Sequence, residues 1–446
     1  MTPSALFTDF YELTMMAGYA DAGLADAPAT FDLFFRRPPE GVSVLVSAGQ
    51  QLALDFLEAL RFTDEDLAYL RTTPLPAAFV DSLADLRFTG DVHAVPEGTP
   101  VFANEPVLRV EAPLAQAQLV ETALLNAICY SSLVASNAAE VRLAAGDRGV
   151  LEFGARRAHG PDGALSASRA AFVGGCDSTS NVEAGHRFGI PVSGTQAHAW
   201  VMAFPSELES FRAYATTFPD ACVLLVDTYD TLGVGVPNAI TVAREMRARG
   251  QRLQGIRLDS GDLSALATGA REQLDAAGFE EVQIVASGDL DARRVAELCR
   301  AGAPIDSFGV GTALVTAKQD PTISGVYKLA HLADVDVAKI SSNPGKTTDP
   351  GRKQVWRTDD GDVIGLADED RPGTPLLNQV MADGRRIADL PDLARIRAQA
   401  IESRGWLQAR CPEEDLLRWP VRRSQRLDDL REAVLADMAD GIRGEA

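Results

Sequence analysis

Cations are scarce in this chain: 42 Lys and Arg stand against 63 Asp and Glu, for a formal net charge of -21. Non-specific nucleic-acid binding needs clustered cations to neutralise phosphates, so that class is excluded. A small anionic substrate is not excluded, because it needs only a local basic pocket. No stretch approaches the roughly 18 consecutive apolar residues of a membrane span, and no membrane-embedded part is expected. The first 19 residues hold Asp9 and Glu12 but no Lys or Arg and no long apolar core, the wrong pattern for a secretory signal. Residence in the cytoplasm is the resulting expectation. The five cysteines, at 129, 176, 222, 299 and 411, are odd in number and contain no Cys-x-x-Cys pair. They offer no zinc or redox motif and read as reduced, mostly buried thiols. Histidine is equally sparse, with five in 446 residues.

What is present is ordinary for a globular protein: 46% hydrophobic and 24% charged residues. Length alone suggests about three domains of roughly 150 residues. Residues 1–132 mix a helix-like stretch, Phe7 to Tyr19 with Asp9 placed to cap it, with short strands at 31–35, 42–46, 90–95, 100–103 and 107–110. Helical stretches at 49–60 and 114–145 frame them. Clustered strands of this kind predict an α+β domain. Residues 133–324 alternate instead. Apolar runs at 150–153, 190–192, 222–226, 255–258, 283–286 and 307–310 have the character of strands buried on both faces, with helical segments at 237–248, 263–276 and 291–299. Asp227, Asp259 and Ser287 follow three of these runs at intervals of 32 and 28 residues, the size of a strand-helix unit. A parallel sheet, barrel-like or open, with right-handed crossovers is predicted. Residues 325–446 carry strand-like runs at 326–332, 337–341 and 354–357 and then a charged helical tail, which is expected to pack back on the first domain and make that domain discontinuous.

Parallel α/β folds build their sites at the carboxyl ends of the strands. Here those ends carry Arg156 and Arg157 after Glu152, then His198, Asp227 with Asp230, Asp259 with Asp262, Ser287 with Asp289, and Gly309-Val-Gly-Thr312. An active-site rim is predicted, and most of these residues also have a plainer reading. His198, within Ser193-Gly-Thr-Gln-Ala-His-Ala-Trp200, can accept a phosphoryl group on a nucleophilic ring nitrogen or can be a satisfied structural histidine. Arg156 and Arg157 can grip a carboxylate or phosphate, or can pair with Glu152, Asp227 or Asp259. Asp259 and Asp262 can hold ribose hydroxyls or Mg²⁺, or Asp262 can cap a helix. The glycine-rich turn can cradle a phosphate or simply turn the chain. Lys339, Lys346, Arg352, Lys353 and Arg357 can clamp a polyphosphate or line a solvent-facing hairpin. The Gly-Lys-Thr at 345–347 is not a Walker A loop, since Ile340 stands where the required glycine belongs.

Together these pieces suggest handling of a phosphorylated sugar, and their order carries a resemblance. Thr8-Asp-Phe-Tyr-Glu-Leu-Thr-Met15, Glu152-Phe-Gly-Ala-Arg-Arg-Ala158, Gly194-Thr-Gln-Ala-His198, Val226-Asp-Thr-Tyr-Asp230, Arg257-Leu-Asp-Ser-Gly-Asp262, Phe308-Gly-Val-Gly-Thr312 and Lys339 to Thr347 resemble, in sequence order, the motifs of nicotinate phosphoribosyltransferases. The resemblance implies an irregular α/β barrel of parallel strands plus a smaller, discontinuous α+β domain. It implies ATP-coupled transfer of phosphoribose from 5-phosphoribosyl 1-pyrophosphate to nicotinate in NAD salvage, with Mg²⁺ as the ion and a homodimer whose sites lie at the subunit interface. His198 would be the phosphorylated histidine and Asp259 would hold the ribose. Arg156, with Arg157 beside it, would grip the nicotinate carboxylate, and Tyr11 would stack on the pyridine ring from the partner subunit. Gly309, Gly311 and Thr312 would take the 5-phosphate, and Thr195, Asp227, Asp262 and Ser287 would complete the substrate site. No set of residues is assigned to a resident metal. Phe10, Glu12 and Ala199 depart from the residues most members carry. Nicotinamide phosphoribosyltransferase is the neighbouring alternative, which Arg156 argues against, and a non-catalytic relative on the same scaffold is the other.

Overall fold

The structure, a computed structural model, describes residues 3–341, 343–411, 416 and 418–444. The chain forms two units, one from Asn137–Gln319 and one from Met1–Ser136 together with Asp320–Ala446.

The first of these is built on apolar four-residue strands. Ile256, Leu258, Ile284, Ala286, Phe308 and Val310 are completely buried, as expected of strands covered on both faces. Burying one such Leu or Ile side chain contributes about 2 kcal/mol. Six strands lie parallel in the order Ser178–Thr179, Gly149–Glu152, Ser307–Val310, Gln283–Ala286, Gly255–Leu258 and Val223–Leu225. The sheet curls into a half-barrel, in keeping with the expected barrel-like class. Crossover helices return the chain between strands, among them Val236–Ala248, Leu263–Ala276 and Ala292–Arg300. Each of these three is followed within two residues by a glycine at positive φ, at 250, 278 and 302, where a side chain would strain the left-handed turn. The run at 190–192 is not a strand; Val192 makes only an isolated bridge to Thr179, and the edge strand is the polar pair Ser178–Thr179.

The other unit interleaves the two ends of its chain in one seven-stranded sheet. Gly325–Leu332 pairs antiparallel with Pro28–Phe35, and Asn378–Ala382 with Asp91–Ala94. The Phe31 and Tyr327 rings stack 4.8 Å apart across the first of these seams. A four-stranded sheet holds Lys353–Thr358, Gly361–Leu366 and the two short strands Thr374–Pro375 and Val421–Arg423. Two members of the basic cluster are committed internally. Lys353 forms a buried ion pair with Asp32 at 2.8 Å and donates to three backbone carbonyls, and Arg357 grips Asp362 with two nitrogens. As a polyphosphate clamp the cluster therefore fails at these two positions; Arg352, 3.5 Å from Glu111, is exposed, as are Lys339 and Lys346. Residues 337–341 form no strand, the short strand being Val335–Asp336. Asp9 stands at the first turn of Phe10–Asp21 without capping it, because its carboxylate accepts from the Thr122 hydroxyl at 2.8 Å.

Candidate functional site

The strand ends of the parallel sheet bring a connected group together. Asp227, two residues past Val223–Leu225, uses Oδ2 to accept the Asp259 backbone N–H and the Ser260 hydroxyl, both at 2.8 Å. Asp259, the residue after Gly255–Leu258, accepts the Ser287 hydroxyl on Oδ1 at 2.5 Å. Its other oxygen lies 3.9 Å from His198 Nε2. Gly288 makes this closeness possible: it sits at φ 97°, and any Cβ there would collide with the Asp259 carbonyl. Three strand ends thus fix one carboxylate against one imidazole.

His198 opens the short helix His198–Met202. Trp200 anchors that helix by donating Nε1–H to the Ser210 carbonyl at 3.2 Å and packing on Phe204 and Tyr214. The imidazole is left 40% exposed, with Nδ1 3.1 Å from Thr228 Oγ1. The approach to it is held by Arg257, which donates to the Thr195 hydroxyl at 2.7 Å and the Gln196 carbonyl at 2.9 Å. Burial pulls the Arg257 guanidinium below the usual arginine range, opposed by Asp259 and Asp227 and reinforced by Arg156. The histidine is therefore not packed away as a core residue.

Arg156 and Arg157 occupy the turn Ala155–Arg157 just past Gly149–Glu152, exposed, and neither guanidinium makes a hydrogen bond or ion pair to a described residue. Pairing with Glu152 does not occur. That carboxylate is completely buried and accepts from Gly154 N–H, Ser168 Oγ at 3.0 Å and Thr179 Oγ1 at 2.5 Å. Asp262 does cap its helix, accepting from Ser264 and Ala265 N–H at 3.1 and 3.2 Å, with one oxygen. Gly309 lies flat against the Phe153 ring, where an added Cβ would approach to 2.6 Å, so close packing alone calls for glycine there. Gly311 precedes the short helix Thr312–Thr316 and abuts the Phe153 carbonyl. Among the described residues no three His, Cys, Asp or Glu side chains gather as a metal site.

Tyr11 belongs to the other unit, at the start of Phe10–Asp21, and is 47% exposed. Burial, then Glu121, Glu12 and Asp9, push its hydroxyl above the usual tyrosine range. Glu12 is fully buried and accepts from Thr122 N–H, Thr122 Oγ1 and the Thr8 hydroxyl; burial raises its carboxyl to about 7.

Two contributors escape a reading based on residue type. Thr228 is one, since nothing marks one hydroxyl in Val226 to Asp230. Arg257 is the other, although a lone charge inside an apolar strand is a signal that such a residue has work to do.

Two family models match this chain: the nicotinate phosphoribosyltransferase N-terminal domain over residues 6–129 and the nicotinate phosphoribosyltransferase family over residues 149–379. The nicotinate phosphoribosyltransferase of Bacillus subtilis is 48% identical, the match covering 82% of this chain and 76% of the relative. That of Homo sapiens is 35% identical, covering 98% and 97%. The crystal structure of human nicotinic acid phosphoribosyltransferase superposes with a TM-score of 0.85 at 33% identity, over 96% of this chain and 99% of that one. Nicotinate-nucleotide pyrophosphorylase from Pyrococcus furiosus shares the fold, with a TM-score of 0.74 at 24% identity over 90% and 95% of the two chains. This chain belongs to the nicotinate phosphoribosyltransferase family.

Proposed function

We propose that this protein transfers phosphoribose from 5-phosphoribosyl 1-pyrophosphate to nicotinate, giving nicotinate mononucleotide and pyrophosphate for NAD salvage, and that it couples the reaction to ATP through a phosphorylated His198. The observation that carries the coupling is the exposed His198 imidazole, held at Nδ1 by Thr228 and facing Asp259 across 3.9 Å. A histidine serving only the fold would be buried and satisfied on both nitrogens.

Displacing pyrophosphate from the anomeric carbon builds positive charge on the ribose, which the neighbouring Asp259 carboxylate stabilises. Arg156, whose guanidinium has no partner among the described residues, is available to the nicotinate carboxylate. The donor set suits an Mg²⁺ that arrives with a substrate rather than a resident ion, because Mg²⁺ commonly takes one or two carboxylates and completes its shell with phosphates and water. Asp259 Oδ2 and the second Asp262 oxygen would hold it, and the ion would supply charge neutralisation on the leaving pyrophosphate. Phosphorylation of His198 would favour a state that binds substrates tightly, and hydrolysis would release products.

The reading includes a homodimer in which Tyr11 reaches the partner's nicotinate site; its exposed ring at the start of a helix supports that role. It also includes a cytoplasmic location, which suits a chain whose cysteines carry no zinc or redox motif. No helix among the described residues is long and apolar enough to cross a membrane. Incubation with γ-labelled ATP tests the coupling: wild type is expected to acquire acid-labile, base-stable phosphate and His198→Ala none. Equal label on the variant would refute it.

A further inference from the structure

The His198 imidazole is tied to the fold at one point. Its only hydrogen bond among the described residues joins Nδ1 to Thr228 Oγ1 at 3.1 Å, and that hydroxyl has no other partner there. Rotation about the Cβ–Cγ bond of histidine is a broad, twofold torsion, so an unheld ring presents either edge to a ligand. Thr228 removes that ambiguity. With Nδ1 held, the Nε2 edge faces Asp259 Oδ2 at 3.9 Å, beyond direct hydrogen-bonding reach.

Thr228 is itself well placed to hold a ring still. On one side Asp227 ties its strand end to Asp259 and Ser260. On the other, Asp230 accepts the Gly233 N–H at 2.9 Å and closes the following turn. The backbone carrying the hydroxyl is anchored on both flanks within two residues. The helix carrying the imidazole is anchored separately, through Trp200. Two independently fixed segments meet at a single hydrogen bond, and the bond sets the ring.

We infer that Thr228 is a positioning residue for the phosphoryl step, its hydroxyl fixing the rotation of the His198 ring; the inference rests on the phosphohistidine reading above. In that step a ring nitrogen of His198 gives its lone pair to the terminal phosphorus of ATP. The bond from that phosphorus to the β,γ-bridging oxygen breaks, and ADP departs with the electron pair. The ring is left with the phosphoryl group on one nitrogen and a proton on the other. A hydroxyl both donates and accepts, so Thr228 matches the Nδ1 of the resting ring in either tautomer. A valine fills the same volume and does neither.

The test compares full-length wild type, Thr228→Val and Thr228→Ser, reading the initial rate at which γ-labelled ATP places acid-labile phosphate on the chain as a function of pH, with the melting temperature of each. Loss of one hydrogen bond is expected to lower the Val rate about tenfold. The pH profile of that variant should shift, its melting temperature should stay near wild type, and Ser should restore the rate. A Val rate equal to wild type overturns the role of Thr228 and leaves His198 phosphorylation standing. If the Val chain proves unstable, the Ser chain decides: a folded Ser variant as slow as Val overturns the inference. Absence of label on wild type overturns the phosphohistidine reading and this inference with it.

Discussion

Asp227 holds Asp259 through a single oxygen, its Oδ2 accepting both the Asp259 N–H and the Ser260 hydroxyl at 2.8 Å. The contact joins two adjacent strand ends and leaves the other Asp227 oxygen buried without a hydrogen-bond partner among the described residues. Asp227 is thus first a support for Asp259, the carboxylate that faces His198. Replacing it with alanine removes the carboxylate that accepts from the half-buried Asp259 N–H and the exposed Ser260 hydroxyl, at a cost of about 1 kcal/mol for each hydrogen bond. A shift of Asp259 by about 1 Å is expected to lower kcat about 100-fold. Asp227→Asn keeps an acceptor and should melt closer to wild type. A kcat for Asp227→Ala within a few-fold of wild type would show that the support is dispensable.

Arg156 stands on the same rim, its guanidinium without a partner among the described residues, so its removal should be felt by the substrate rather than by the fold. If Arg156 grips the nicotinate carboxylate as proposed, loss of that charge-assisted contact of about 1.5–3 kcal/mol is expected to raise the KM for nicotinate about 10- to 100-fold in Arg156→Ala. The KM for 5-phosphoribosyl 1-pyrophosphate should move far less. Equal effects on both substrates would make Arg156 a structural residue.

Lys353 and Asp32 form a buried pair at 2.8 Å, with side chains 5% and 2% exposed. Breaking it from one side strands a buried charge, so Lys353→Met should destabilise the protein by about 3–5 kcal/mol in denaturant titrations. Replacing both partners, Lys353→Met with Asp32→Leu, should recover much of that loss. A single variant as stable as wild type would contradict the pairing.

Burial raises Glu12 from the ordinary 4.5 to about 7, against lowering hydrogen bonds from Thr8 and Thr122 and with Glu121 adding to the rise. The folded state therefore binds this proton more tightly than the unfolded chain does. The sign follows: the stabilisation is fully present below pH 4.5 and is lost as pH rises through about 7. Melting curves of wild type and Glu12→Gln across this range should converge in slope only above it, with the variant lacking this decline. Parallel curves throughout would remove Glu12 as the source.

Much of the parallel sheet is legible because its strands announce themselves. Gly255–Leu258, Gln283–Ala286 and Ser307–Val310 are short apolar runs bounded by polar strand ends, and they form at the residues expected. Ser178–Thr179 escapes because a two-residue polar edge strand has no apolar run to show. The basic cluster misleads for a different reason: composition counts Lys353 and Arg357 as cations but does not reveal that Asp32 and Asp362 neutralise them. At the site, residue type points to His198 and Asp259, whereas the Thr228 and Arg257 contacts depend on where loops distant in sequence meet.

The most direct test of the central claim is the rate of mononucleotide formation from 5-phosphoribosyl 1-pyrophosphate with nicotinate or nicotinamide, each with and without ATP. The account predicts that nicotinate is preferred and that ATP accelerates its conversion in wild type but not in His198→Ala. Preference for nicotinamide, or ATP stimulation that survives the loss of His198, would contradict it.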